Sequence, residues 1–177
     1  MSFVLVTGGV RSGKSGFAER RAGLERRVLY VATGQAWDDE MHHRIALHQQ
    51  RRPASWGLLE SGPALTEAIS SQLADWDCIL IDCLSTWLSN ILINIPETEL
   101  RDAGTRHLVL AEAERLADLL SRPDLEAVLV TTETGLGGVA LTRLGRVFAD
   151  LLGEVNQLLA RHADEVHLVV AGRALQL

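Results

Sequence analysis

The chain has only two cysteines in 177 residues, no basic excess and no apolar run near the ~20 residues of a membrane span. Each shortage removes a class of protein. Cys78 and Cys83 sit on or beside one apolar strand and read as reduced core residues, not a disulfide framework or a metal site. A net charge of −6 argues against a nucleic-acid binder, which carries a basic face. The N-terminus runs into a strand with no basic segment, apolar h-region or cleavage site, so a cytoplasmic location is expected. Internal repeats and low-complexity tracts are also missing, and one domain over 1–177 with a full core is expected.

What is present starts at once. The apolar run Phe3 to Val6 leads into Gly8-Gly9-Val10-Arg11-Ser12-Gly13-Lys14-Ser15, which fits the phosphate-binding pattern G-x-x-x-x-G-K-[ST] at every fixed position. A helical pattern with Phe17, Ala18, Arg21 and Ala22 follows. That strand–loop–helix order is what the chemistry needs. Glycines let backbone N–H groups turn inward on one phosphate, and the helix end adds its positive dipole. Lys14 is then placed for the β- and γ-phosphates and the Ser15 hydroxyl for Mg²⁺. The competing reading is an ordinary glycine-rich turn.

Further along, Val28 to Thr33 is a second buried strand closed by Gly34. Asp38-Asp39-Glu40 opens a helix expected to run to about Arg52, before Pro53. Trp56 to Glu60 is a short element, and a helix is expected from Pro63 to Leu73. Cys78-Ile79-Leu80-Ile81-Asp82 is an apolar run ending on an acid. Beside a phosphate loop this reads as a Mg²⁺-binding aspartate at a strand end, against the alternative that Asp82 caps the next helix. Leu84 to Ile95 is a core helix or a subunit contact. Glu97 to Leu120 is an amphipathic helix with Leu108, Ala111, Leu116 and Leu119 on its apolar side. Ala127 to Thr132 is a strand, followed by a glycine-rich loop over 133–138. Leu144, Val147, Phe148, Leu151, Val155, Leu158 and Leu159 mark a helix from Thr142 to His162. Val166 to Val170 and Ala174 to Leu177 could close the chain as a hairpin. Alternating strands and helices imply a three-layer α/β sandwich around a mostly parallel sheet with room for an antiparallel edge. Ligands bind such sheets at the carboxyl ends of the strands.

Three of the six histidines, His42, His43 and His48, fall between 40 and 52. No pair is four apart, and His43 and His48 are about 140° apart on a helix, so a metal site is not expected. Arg44, His48, Arg51 and Arg52 instead form a cationic stripe, which is either a solvated helix face or a phosphate-handling one. Arginine neighbours favour a neutral imidazole with a ring nitrogen able to act as nucleophile.

These pieces together resemble the bifunctional adenosylcobinamide kinase / adenosylcobinamide-phosphate guanylyltransferase family of cobalamin assembly. The matching residues are Leu5 to Ser15, Tyr30 to Thr33, Asp38 to Met41, Arg44-Ile45 with His48, Arg52-Pro53, Trp56 and Glu60. Later matches are Glu133 with Gly135 and Gly137, Phe148 with Asp150, Val155-Asn156-Gln157, and Ala163 to Val166 with Leu168 to Val170 and Gly172. The chain departs from the family's pattern at Thr132, Ala140, Asp82 and the tail Arg173 to Leu177.

The resemblance implies a P-loop sheet of RecA-like type and two reactions. A nucleoside triphosphate, ATP or GTP, phosphorylates adenosylcobinamide. GTP then gives GMP through a histidine, matched here by His48, to the phosphorylated cobinamide. It also implies a homotrimer with sites between subunits. Nucleotide contacts are expected from Gly8 to Ser15, Thr33, Gly34, Gln35, Arg51, Arg52, Glu60 and Asp82, with Mg²⁺ on Ser15 and Asp82. The rival readings are a plain small-molecule kinase with His48 a bystander, and a nucleotide switch; the chain has no Asn-Lys-x-Asp run for a guanine-reading switch.

Overall fold

The computed structural model describes residues 2–34 and 53–177. The apolar runs become strands because they are buried on both faces, as a parallel sheet covered by helices requires. These are β1 (Phe3–Gly8), β2 (Val28–Ala32), β4 (Cys78–Asp82) and β5 (Ala127–Val130), with β3 (Gly57–Glu60) beside β2. The chain closes with β6 (Glu165–Val170) and β7 (Arg173–Gln176). The sheet runs β3-β2-β4-β5-β1-β6-β7, parallel throughout except for β7, which pairs antiparallel with β6. The expected three-layer sandwich, the antiparallel edge and the closing hairpin are all present.

Helix α1 (Lys14–Ala22) covers one face, packing Ala18 and Ala22 on Val4, Val6, Tyr30 and Leu80. The other face carries α2 (Leu65–Ser70), α3 (Leu84–Leu92), α4 (Ala103–Leu120) and α5 (Arg143–His162) over the larger core. Helix α5 starts where Thr142 accepts a 3.0 Å hydrogen bond from the Gly145 N–H, and its last turn carries Arg161, a cation suited to that end of the dipole.

Three expectations needed correction. The helix expected from Glu97 begins at Ala103, and its buried side is Thr105, Val109, Glu112, Ala113, Leu116, Ala117, Leu119 and Leu120, with Leu116 and Leu119 inside as expected. Leu108, off that side, is 54% exposed. The helix expected over 63–73 shortens to 65–70, because the Ser70 and Ser71 hydroxyls bond back to the carbonyls of Thr66 and Ala68 and compete with its continuation. Leu144 in the first turn of α5 is exposed as well. A buried Glu112 earns its place on α4 by taking the Thr66 N–H at 3.1 Å and pairing with Arg115, which ties α4 to α2.

The amino-terminal edge of the sheet is closed by charge. Arg21 bonds Glu165 at 2.8 Å and reaches Glu126, which also pairs with Arg26 at 2.9 Å. Glu165 also meets the His167 ring at 2.8 Å. These two partners, His167 first and Arg21 second, hold the Glu165 carboxyl below its ordinary range. A carboxyl depressed in the folded state stabilises the fold above its unfolded pKa, and that stability is lost as pH falls through the folded value. Glu165→Gln is therefore expected to flatten the acid limb of a stability curve taken by urea unfolding from about pH 7 to about pH 3. Parallel curves for variant and parent would refute the assignment.

Candidate nucleotide site

Parallel register decides what stands level at the carboxyl edge. Ala32 pairs with both Glu60 and Asp82, Asp82 with Val130, and Val130 with Val6. Two residues beyond Val6 the chain leaves β1 as the phosphate loop. Asp82 continues the face of Cys78 and Leu80, the face α1 covers. Its carboxylate and the first turn of α1 with Ser15 are thus on one side of the sheet at one edge.

The loop turns as its sequence demands at Gly13, which has φ +94° and serves as N-cap of α1 with no side chain on the helix N–H groups. Arg11 is also left-handed at φ +56°. By contrast, Gly9 has open space where a Cβ would stand, so only part of the expected glycine requirement is steric. The Lys14 ammonium folds back on the Gly9 carbonyl at 3.0 Å, and the Phe17 N–H reaches the Gly13 carbonyl at 3.0 Å to start the helix ladder. An uncapped helix N-terminus with a lysine beside it is an arrangement able to receive an anion. Across the loop, the Glu133 N–H holds the Gly8 carbonyl at 3.2 Å.

Asp82 does not cap a helix. The N-cap of α3 is Cys83, whose side chain makes no capping bond, and Asp82 instead receives the Tyr30 hydroxyl at 3.0 Å. A carboxylate and a serine hydroxyl are the hard oxygen donors Mg²⁺ takes from protein, with phosphates and water completing its shell. Among the described residues no cluster of three or more His, Cys, Asp or Glu could hold a metal by itself. The donor set therefore fits Mg²⁺ arriving with a nucleotide. Tyr30 escaped the sequence reading of the site because its partner is 52 positions away; only strand pairing brings them together.

The remaining residues divide. Thr33 is fully buried, donating its hydroxyl to the Cys83 carbonyl at 2.6 Å and accepting the Cys83 N–H at 3.0 Å. Its carbonyl takes the Asn90 amide at 2.7 Å. That side chain is committed to joining the ends of β2 and β4. Gly34 follows it at the same edge. Glu60 is exposed at the end of β3, four strand spacings from β1, or about 19 Å. Gln35, Arg44, His48, Arg51 and Arg52 lie outside the described residues. Both cysteines are free; Cys78 is core, with its thiol pushed up to about 12 by burial. Cys83 is half-buried, packed against the edge of the same core, and its sulfur lies 3.0 Å from the hydroxyls of Ser85 and Thr86.

Residues 4–177 match the family CobU, described as cobinamide kinase / cobinamide phosphate guanyltransferase. The chain belongs to that family. With membership come the two transferase activities of the family's name. The chain is 42% identical to the bifunctional adenosylcobalamin biosynthesis protein CobU of Salmonella typhimurium, covering 98% of each. It is also 42% identical to the corresponding CobP of Pseudomonas aeruginosa, over 98% of this chain and 95% of that one. Solved structures extend the fold alone. The RadB recombinase superposes with TM-score 0.52 at 13% identity, covering 94% of this chain and 73% of that one. A Pyrococcus horikoshii protein superposes with TM-score 0.56 at 10% identity, covering 99% and 85%.

The Tyr30–Asp82 bond generates a test. Tyr30→Phe removes a hydrogen bond to a charged acceptor and is expected to cost about 1.5–3 kcal/mol of stability. It should also raise the Mg²⁺ concentration needed for half-maximal nucleotide binding, read by titrating Mg²⁺ at fixed nucleotide. An unchanged Mg²⁺ midpoint would leave the phenol a purely structural role.

Proposed function

We propose that this chain runs both reactions of its family from the carboxyl edge just described, with the guanylyl group carried on His48. The observation that carries this reading is the placement of Lys14, Ser15 and Asp82 about one uncapped helix end. Backbone N–H groups of Gly8, Gly9, Val10, Arg11 and Gly13 would cradle the triphosphate, the Ser12 N–H being held on the Gly9 carbonyl at 3.3 Å, and Lys14 would neutralise its outer phosphates. Ser15 and Asp82 would hold Mg²⁺, which supplies charge neutralisation on the phosphate oxygens.

In the kinase step the hydroxyl oxygen of adenosylcobinamide attacks the γ-phosphorus of ATP or GTP, the bond to the β-phosphate oxygen breaks, the nucleoside diphosphate leaves and the hydroxyl proton passes to solvent. In the transferase step a ring nitrogen of His48 attacks the α-phosphorus of GTP, and pyrophosphate leaves. A phosphate oxygen of adenosylcobinamide phosphate then attacks the same phosphorus. The P–N bond breaks, His48 is restored and adenosyl-GDP-cobinamide departs. Arg51 and Arg52 suit the α-phosphate and the departing pyrophosphate. Glu60, Gly34 and the backbone beside Thr33, toward the far end of the same edge, are assigned to the rest of the nucleotide, and Gln35 is assigned with them.

A single domain over 1–177 acting in the cytoplasm fits the two free thiols and the absence, among the described residues, of a helix long and apolar enough to cross a membrane. A homotrimer with sites between subunits is supported by the apolar side chains exposed at this edge, Val10, Leu136, Val139 and Leu141 among them. These suit coverage by another subunit or by the corrinoid.

The test uses protein, Mg²⁺ and GTP labelled at the α-phosphate, with no corrinoid present. Acid-labile, alkali-stable label is expected on the parent and none on His48→Ala, which should keep γ-phosphate transfer to cobinamide. No label on the parent, with γ-transfer intact, would reduce the chain to a kinase.

A further inference from the structure

The last hairpin serves something other than the core. All four residues of β7 are exposed, so the strand buries little. What it fixes is the turn before it. Ala171 and Gly172 have φ of 49° and 78°, the pair of left-handed residues that a two-residue hairpin of this twist needs. That turn lies against the phosphate loop. The Gly172 N–H donates to the Ser12 carbonyl at 2.8 Å, and a Cβ on Gly13 would stand 3.1 Å from the Gly172 Cα. One strand earlier, β6 stays paired with β1 up to Val169 opposite Gly8, where a Cβ on Gly8 would fall 2.4 Å from the Val169 carbonyl oxygen. One hairpin therefore braces the loop at both its first and its last glycine.

The direction of the brace matters. A trans peptide is planar, with its C=O and N–H pointing opposite ways. Drawing the Ser12 carbonyl outward onto Gly172 turns the Gly13 N–H the other way, into the loop. We infer that the Ala171-Gly172 turn is a positioning device for phosphate binding, in which Gly172 orients the Ser12–Gly13 peptide so that the Gly13 N–H faces the triphosphate. The inference rests on the reading of residues 8–15 as the triphosphate site. The loop's grip is then partly set 160 residues downstream, by a turn that touches no phosphate itself.

The experiment is calorimetric titration of the full chain with inorganic triphosphate and Mg²⁺, with amide hydrogen exchange over residues 9–15 of the free protein. Gly172→Val puts a β-branched side chain on a left-handed backbone; it is expected to weaken triphosphate binding about tenfold and to speed exchange in the loop. Gly172→Asn, whose side chain tolerates that backbone and keeps the N–H, should stay within about twofold of the parent. Ala171→Asn creates the favoured Asn-Gly turn and should tighten binding by about twofold, so the inference stays testable if the valine variant does not fold. Unchanged affinity in Gly172→Val, equal losses in the valine and asparagine variants, or loop exchange that does not follow affinity would each overturn it. Parent and Lys14→Ala proteins that both ignore triphosphate would instead overturn the phosphate-site reading beneath it.

Discussion

Parallel hydrogen bonding between β4, β5 and β1 is the constraint on which the site depends. It keeps Asp82, Val130 and Val6 in one row, so the chain leaves β1 for the phosphate loop beside the level where β4 presents its acid. A register shift of one residue would turn Asp82 into the opposite core, among the α3 and α4 side chains, and Ile81 toward α1. Continuous burial guards against that slip. Ile79 and Ile81 fill one core and Cys78 and Leu80 the other, leaving no face of β4 able to accept a charge except at its end.

The two edges of the sheet divide the labour. At the amino-terminal edge, Arg21, Arg26, Glu126, Glu165 and His167 form a network, Arg27 pairs with Asp77, and the Asp164 carboxylate holds the Phe3 N–H at 2.8 Å. Isolated surface pairs contribute little, but here each closes a strand start against the helix or strand beside it. The carboxyl edge is built the other way. The α1 N-terminus has no side-chain cap, and Lys14 has no ion-pair partner among the described residues.

The sequence was most informative where one residue type has one physical use. Gly13-Lys14-Ser15 after an apolar run could be placed because such a loop has few other purposes, and β1, β2, β4 and β5 because strands buried on both sides are uninterrupted apolar runs. Periodicity was weaker on α4. Leucine at 108 and glutamate at 112 suggest the wrong outward face, since the Thr66 N–H and Arg115 make Glu112 burial tolerable and no spacing rule sees a partner 46 positions away. Thr33 was misleading for the same reason. A threonine beside Gly34 at a strand end looks exposed to ligand, yet the Cys83 peptide consumes its hydroxyl. Contacts such as Tyr30 to Asp82 and Gly172 to Ser12 exist only because of topology.

That dependence has a consequence for specificity within the fold. The RecA-like frame brings a phosphate loop and a strand-end acid together in many proteins, so it cannot by itself choose an acceptor. Selection has to come from groups that are not part of the frame. Under the proposed reading those are the exposed Leu136, Val139 and Leu141 on the loop after β5, Glu60 about 19 Å from β1, and His48 with its neighbouring arginines in the β2–β3 connection. Two chemistries on one triphosphate differ in which phosphorus is attacked; if the frame holds the phosphates alike for both, as proposed, the choice between γ and α attack falls to groups on the loops and not on the sheet.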